Sequence, residues 1–246
     1  MLEFGIIELH KGENCSYETK DKEVAFVLLG GRCSVKLDDG TDFGIIGGRR
    51  SVFEGKATTL YVPRHKKVFF STDWSVKIVV NATHVDEDTK PLLITPDMVR
   101  VVTLGKKPFE RETHFIVDGT TNAKKLTVGE AFVTPGNWAG FPPHKHDTDN
   151  MPMEGVAEEV YYFLFQPEQG FALQRMYTAD GKLDKCYAVK QDELVEFPYG
   201  YHTTVGAPGY NTYFLWSMAG EHQGFFRSND PQHEWVSAVE NMLKKM

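Results

Sequence analysis

The run Pro142-Pro143-His144-Lys145-His146 carries the densest chemistry in the chain. In an extended segment alternate side chains share a face, so His144 and His146 point one way and Lys145 the other. Two imidazoles on one face can chelate a single ion. Glu159 opens the next clear strand and can supply an oxygen, with its neighbour Glu158 competing for that place. His202 follows Pro198 and Gly200 at the end of a later strand. Three neutral nitrogens and one carboxylate suit one borderline divalent metal ion, with positions left for water or substrate; zinc, manganese, iron and nickel all accept such a set. A lone HxH in a β-protein is more often incidental. An HxH, then a glutamate at a strand start, then PxGxH is a much rarer coincidence, so His144, His146, Glu159 and His202 are read as one metal site.

The elements that must position these residues read as mostly β. Short runs rich in β-branched and aromatic residues recur at Val24–Leu29, Ser34–Leu37, Val68–Ser71, Val76–Val80, Ala131–Thr134, Val160–Phe165, Ala172–Tyr177, Leu194–Phe197 and Tyr213–Trp216. Turn signals such as Gly30-Gly31, Asp38-Asp39-Gly40 and Pro135-Gly136-Asn137 separate them. Only the C-terminus has clear helical spacing, at Trp235, Val239, Met242 and Leu243, with Asn229 or Asp230 as cap, Pro231 in the first turn, and Lys244 and Lys245 near the negative end of the dipole. A weaker signal suggests a short helix around Pro96–Val102.

The two halves repeat one plan. EVAFVLLGG (Glu23–Gly31) is followed by YVPRHKKVFF (Tyr61–Phe70), and EVYYFLF (Glu159–Phe165) by FPYGYHTTV (Phe197–Val205) at nearly the same distance. Two tandem copies of one small β-barrel account for this, an all-β architecture with residues 1–108 as the first barrel and 109–246 as the second. The alignment sets Glu159, not Glu158, opposite Glu23. The first half is an internal control: before Glu23 stand Cys15, Ser16 and Tyr17 with no HxH, and Lys67 occupies the place of His202. The first barrel is therefore expected to be degenerate and without metal, with His65 a loop residue.

Composition narrows the function. Apolar residues make up 41% and charged residues 25%, the profile of a globular chain. A net charge of −7 disfavours a nucleic-acid partner, since phosphate binding needs a concentrated positive surface. Three cysteines form no framework and no CxxC pair. The N-terminus lacks signal-peptide character and no apolar run approaches the roughly 18 residues of a membrane helix, so the expectation is a cytoplasmic protein with no membrane partner. No dinucleotide fingerprint or P-loop is present.

The order HxH, Glu, PxGxH resembles the paired motifs of the cupin superfamily, whose fold is a double-stranded β-helix or jelly-roll barrel. The last motif is one residue shorter than the commonest form, and the stretch between His146 and Glu159 is longer than usual, implying a loop inserted at the barrel mouth. Longer segments are similar to one bicupin family, the 5-deoxy-glucuronate isomerases of myo-inositol catabolism: Arg49–Pro63, Gly136–Asp147, Glu158–Tyr177 and Phe197–Gly220. Departures at Ala139-Gly140 and Thr203 adjoin the site. The 4-deoxy-hexuronate ketol-isomerases of pectin breakdown share the metal pattern more loosely.

This resemblance implies an aldose–ketose isomerisation, 5-deoxy-D-glucuronate to 5-dehydro-2-deoxy-D-gluconate, with a sugar acid as small-molecule partner, one divalent metal ion as cofactor, and a homo-oligomer as an open option. Asp147, Asp149, Glu154, Glu158 and Tyr161 are candidates for the proton shuttle, against a reading of the acids as solvated loop charges and of Tyr161 as packing. Arg175 lies among Phe171, Leu173 and Tyr177 on a mostly apolar face, where a charge must be paired; it is the candidate carboxylate clamp, with a structural salt bridge to a buried acid as the alternative. A metal-dependent dioxygenase and a non-catalytic sugar-acid sensor are the rival classes.

Overall fold

The computed structural model describes residues 2–243, so Lys244 and Lys245 lie outside the described residues, as does the side chain of Leu243. The chain divides into two compact units that trade segments: one runs to Arg100 and takes in Phe115–Val128, the other takes Val101–His114 and everything from Gly129 on. The first crossing lies between Arg100 and Val101.

The first unit is built on β1 (Leu2–Leu9), β2 (Asn14–Glu18), β3 (Lys22–Leu37), β4 (Asp42–Gly47), β5 (Thr58–Val62), β6 (Lys67–Ser71), β7 (Val76–His84) and β8 (Leu92–Ile94). Its long strand β3 pairs β7 and β5 through its first half and β4 and β6 through its second. Val24, Phe26 and Leu28 alternate into a core with Val35, Leu60, Val62, Phe70, Ile78 and Val80, all fully or nearly fully buried. Phe26 meets the Phe70 ring edge-on, centroids 5.1 Å apart. Gly30-Gly31, which reads as a turn in the sequence, is instead a bend within one strand. Gly31 has φ 86°, the β3–β7 register shifts between Leu28 and Gly30, and a Cβ at Gly31 would lie 1.9 Å from the Ser75 carbonyl oxygen. Glycine lets the strand pass from one sheet to the other while its backbone grazes a neighbour.

Glu23, the counterpart of Glu159, is completely buried and fully engaged. Its carboxylate accepts the backbone N–H groups of Lys124, Lys125 and Leu126, each at 2.8 Å, and the Tyr61 hydroxyl at 2.9 Å. His65 sits in a loop at φ 60° with its N–H on the Lys20 carbonyl, and Lys67 pairs with Glu18.

The remaining strands are β9 (Arg100–Leu104), β10 (Arg111–Val117), β11 (Leu126–Val133), β12 (Trp138–Lys145), β13 (Ala157–Gln166), β14 (Phe171–Tyr177), β15 (Asp184–Lys190), β16 (Leu194–Phe197), β17 (Tyr201–Gly206), β18 (Asn211–Gly220) and β19 (Ser228–Asn229), followed by helix α1 (Trp235–Leu243). They form a six-stranded sheet in the order β16-β13-β18-β11-β10-β9 and a five-stranded sheet in the order β15-β14-β17-β12-β19. Two antiparallel sheets in each unit, with one short helix, make the tandem cupin fold. The expected helix near Pro96–Val102 is absent: a turn closed by Met98 N–H on the Thr95 carbonyl leads directly into β9, where Val101 and Val102 take sheet pairing over a weak helical preference. The C-terminal helix forms, and Asp230 caps the turn before it, its carboxylate accepting Gln232 N–H. Among the described residues no helix is long and apolar enough to cross a membrane.

Candidate metal centre

Three strands of the second unit bring the site together. His144 near the end of β12 stands directly opposite His202 near the start of β17, and Glu159 on β13 is flanked by Phe197 and Met218. His144, His146, Glu159 and His202 are all buried, none above 4% exposed. His144, Glu159 and His202 each present one ligand atom, all within 4.8 Å of one another. His146 joins through Glu159, its Nε2 2.9 Å from Oε2, and the same oxygen lies 3.1 Å from His202 Nε2. That last contact is not aligned as a hydrogen bond, so both His202 nitrogens, like His144 Nδ1, are buried without a hydrogen-bond partner. Such groups cost about 1–3 kcal/mol each. An ion shared by the set would offset that cost, and the donor chemistry fits one.

The ring of His146 is oriented from behind: its Nδ1–H donates to the Ala157 carbonyl at 2.8 Å, leaving Nε2 toward the cluster. Burial opposes charge on His146, but Glu159 outweighs it and raises the imidazole above its ordinary range. Burial would likewise push Glu159 up; the hydrogen bond from His146 and the nearness of the His146 and His202 rings hold it down at about 2. Burial lowers His144, helped by the Arg227 guanidinium, and lowers His202 as well, so both imidazoles are neutral and available as ligands.

The other sequence candidates fall into place around this centre. Tyr161 shares the inner face of β13 with Glu159; it is buried, stacked on Phe214 at 4.4 Å, and its hydroxyl is pushed well above its usual range by burial and by the Glu159 charge. Glu158 lies on the opposite face of β13 and does not reach the cluster. Arg175 is also removed from it. Met176 pairs His202 across the β14–β17 ladder, so Ala172, Gln174 and Met176 face inward, while Phe171, Leu173 and Arg175 face solvent. The Arg175 guanidinium makes a bidentate pair with Asp184, at 3.0 and 2.9 Å, and packs over Tyr177. Apolar neighbours suggested an interior face; two of them, Phe171 and Leu173, are 41% exposed, so the guanidinium faces away from the cluster and, in place of a clamp or a bridge to a buried acid, pairs with an exposed one.

Two acids of the insertion, Asp147 and Glu154, are held by Lys145, which indeed points away from the cluster. Its Nζ donates to Asp147 Oδ1, Thr148 Oγ1 and Glu154 Oε1. Glu154 also accepts the N–H groups of Asp147 and Thr148, and Asp147 Oδ2 accepts Gly200 N–H at 2.7 Å, fastening the HxH loop to the loop that delivers His202. Asp149 is exposed. Sequence reasoning missed this positioning role of Lys145 and two cations. Arg111, on the inner face of β10, is buried and its charge bears on Tyr161. Arg227 reaches His144, Nη1 to Nε2 3.4 Å, from a segment with no periodicity to announce it. Only the strand parity of β10 could have hinted at Arg111.

A family model described as the KduI/IolB family matches residues 1–236. A 5-deoxy-glucuronate isomerase from Geobacillus kaustophilus (strain HTA426) is 37% identical over 236 residues, covering 95% of this chain and 84% of that protein. The crystal structure of an IolB-like protein from Salmonella typhimurium LT2 superposes with a TM-score of 0.92 at 34% identity, covering 96% of this chain and 90% of that one. An oxalate decarboxylase from Lactobacillus farciminis shares the fold alone, with a TM-score of 0.66 at 10% identity and coverage of 96% and 81%.

Proposed function

The chain belongs to the KduI/IolB family, and from that premise we propose that it is a metal-dependent 5-deoxy-glucuronate isomerase, converting the aldose acid to 5-dehydro-2-deoxy-gluconate as a step of myo-inositol catabolism. The observation that carries the reading is the convergence of three buried imidazoles on one buried carboxylate, with imidazole nitrogens left without protein partners.

The reaction transfers a proton between adjacent carbons through an enediolate, with no net oxidation. A divalent ion held by His144, His146, Glu159 and His202 would supply a Lewis acid for the carbonyl and neighbouring hydroxyl oxygens. The chain's own residues do the rest. Glu159 stays ionised and offsets the ion's charge; Ala157 and the Lys145–Glu154 network fix where the HxH imidazoles point. Tyr161 keeps its hydroxyl proton, since burial and Glu159 both oppose its loss, and is the group we assign to passing that proton at a substrate oxygen. The packed rings of Phe163, Phe197 and Phe214 limit water around it, which protects a reactive enediolate.

The test is elemental analysis of the purified protein with an isomerase assay on 5-deoxy-glucuronate. Stoichiometric metal, and aldehyde consumed to ketone without oxygen uptake, is the expected result. Oxygen consumption coupled to substrate loss would instead identify a dioxygenase.

A further inference from the structure

We infer that the guanidinium of Arg227 is the carboxylate-binding group of this site, the role that the outward-facing Arg175 cannot fill. The inference rests on the sugar-acid reading above and adds the residue that selects for the acid.

The backbone on both sides of Arg227 is tied down. The Phe226 carbonyl accepts Gly155 N–H, Ser228 and Asn229 pair with Lys145 and His144 as the β19–β12 ladder, and Asp230 N–H donates to the Pro143 carbonyl. Beyond it, the Asp230 carboxylate accepts the Tyr177 hydroxyl at 2.5 Å. The side chain itself is exposed and, among the described residues, no carboxylate pairs with it; its polar contact is the 3.4 Å approach to His144 Nε2. That approach is a hydrogen bond from a charged donor to a neutral ring, so it leaves the positive charge of the guanidinium unbalanced. A cation is thus held beside a cluster suited to a second cation, and the charge of Arg111 bears on Tyr161 from β10. Glu159 is the one carboxylate in the cluster. Such an excess of positive charge in a protein of net charge −7 is stabilised by an incoming anion, and a planar guanidinium meets a carboxylate through two parallel hydrogen bonds. An acyclic uronate offers that anion at one end and its carbonyl at the other, so a clamp beside His144 at the site mouth sets which end faces the cluster.

Calorimetric titration of the metal-loaded enzyme with two ligands tests this. One is the C1 alcohol of 5-deoxy-glucuronate, which keeps the carboxylate and cannot isomerise; the other is 5-deoxy-glucose, which keeps the aldehyde and lacks the carboxylate. Arg227→Gln is expected to weaken binding of the acid by about 10- to 100-fold and of the neutral sugar by less than about threefold, with Arg227→Lys intermediate for the acid and metal content unchanged. Equal weakening of both ligands, no weakening of the acid, or failure of the wild-type enzyme to bind the acid overturns the assignment. An acid-selective loss in a protein that does not isomerise 5-deoxy-glucuronate would uphold Arg227 as an anion clamp and remove the isomerase reading; isomerisation without that selectivity would do the reverse.

Discussion

His146 faces an acceptor at each ring nitrogen, the Ala157 carbonyl at Nδ1 and Glu159 at Nε2. Without metal the ring is satisfied only as the imidazolium, and an ion must displace the Nε2 proton to bind. His144 and His202 carry no such burden, because their pKa values are depressed. Metal affinity should therefore fall as pH drops through the raised pKa of His146, with log Kd changing by about one per pH unit there; a slope near three in competition titrations would mean that all three rings are protonated together. The same residues give metal-free protein a stability term of opposite origin. Glu159 has a folded pKa of about 2, below its unfolded value, so its contribution is present above about pH 4.5 and is lost as pH falls toward 2, which acid titration of the unfolding free energy would show. Arg175 and Asp184 form an exposed pair of the kind worth about 0–1 kcal/mol, so Arg175→Gln should leave kcat/KM within about twofold of wild type, measured on 5-deoxy-glucuronate. His144→Ala and His202→Ala should each abolish activity and stoichiometric metal while the far-ultraviolet circular dichroism stays unchanged.

At the scale of elements, β3 shows where periodicity serves and where it fails. The alternation of Val24, Phe26 and Leu28 announces a strand, and Leu194–Phe197 is bounded in the structure as the sequence suggests. Gly30-Gly31 looks like a turn because glycine pairs mark turns; only the tertiary register shows a strand changing sheets. Gly31→Ala should cost several kcal/mol, about 3 or more, since both φ and the Ser75 carbonyl oppose a Cβ; a denaturant midpoint within error of wild type would refute the bend as a constraint. The metal ligands were readable because HxH, Glu and PxGxH are short local patterns. The positions of Arg175 and Arg227 were not. Arg175 has apolar neighbours on the solvent face, and Arg227 lies on a segment whose course is set by hydrogen bonds to β12 and Gly155 rather than by any pattern of its own.

Across the whole molecule, the internal repeat correctly implied two barrels, but pairwise comparison of halves cannot reveal that Val101–His114 and Phe115–Val128 are traded between the units. A fragment beginning at residue 109 would lack part of its own unit and include a piece of the other; it is expected to unfold without a cooperative transition, as followed by thermal melting. The two equivalent glutamates show how far the units have diverged in use. Glu159 keeps an oxygen for imidazoles, whereas Glu23 has its lone pairs taken by three consecutive amides and a phenol. Grafting histidines at Cys15 and Tyr17 would thus supply nitrogen donors to a carboxyl group already spoken for. To build a centre on Glu23, an engineer would first have to re-route the main chain at 124–126, because the amides of that stretch already hold its carboxylate.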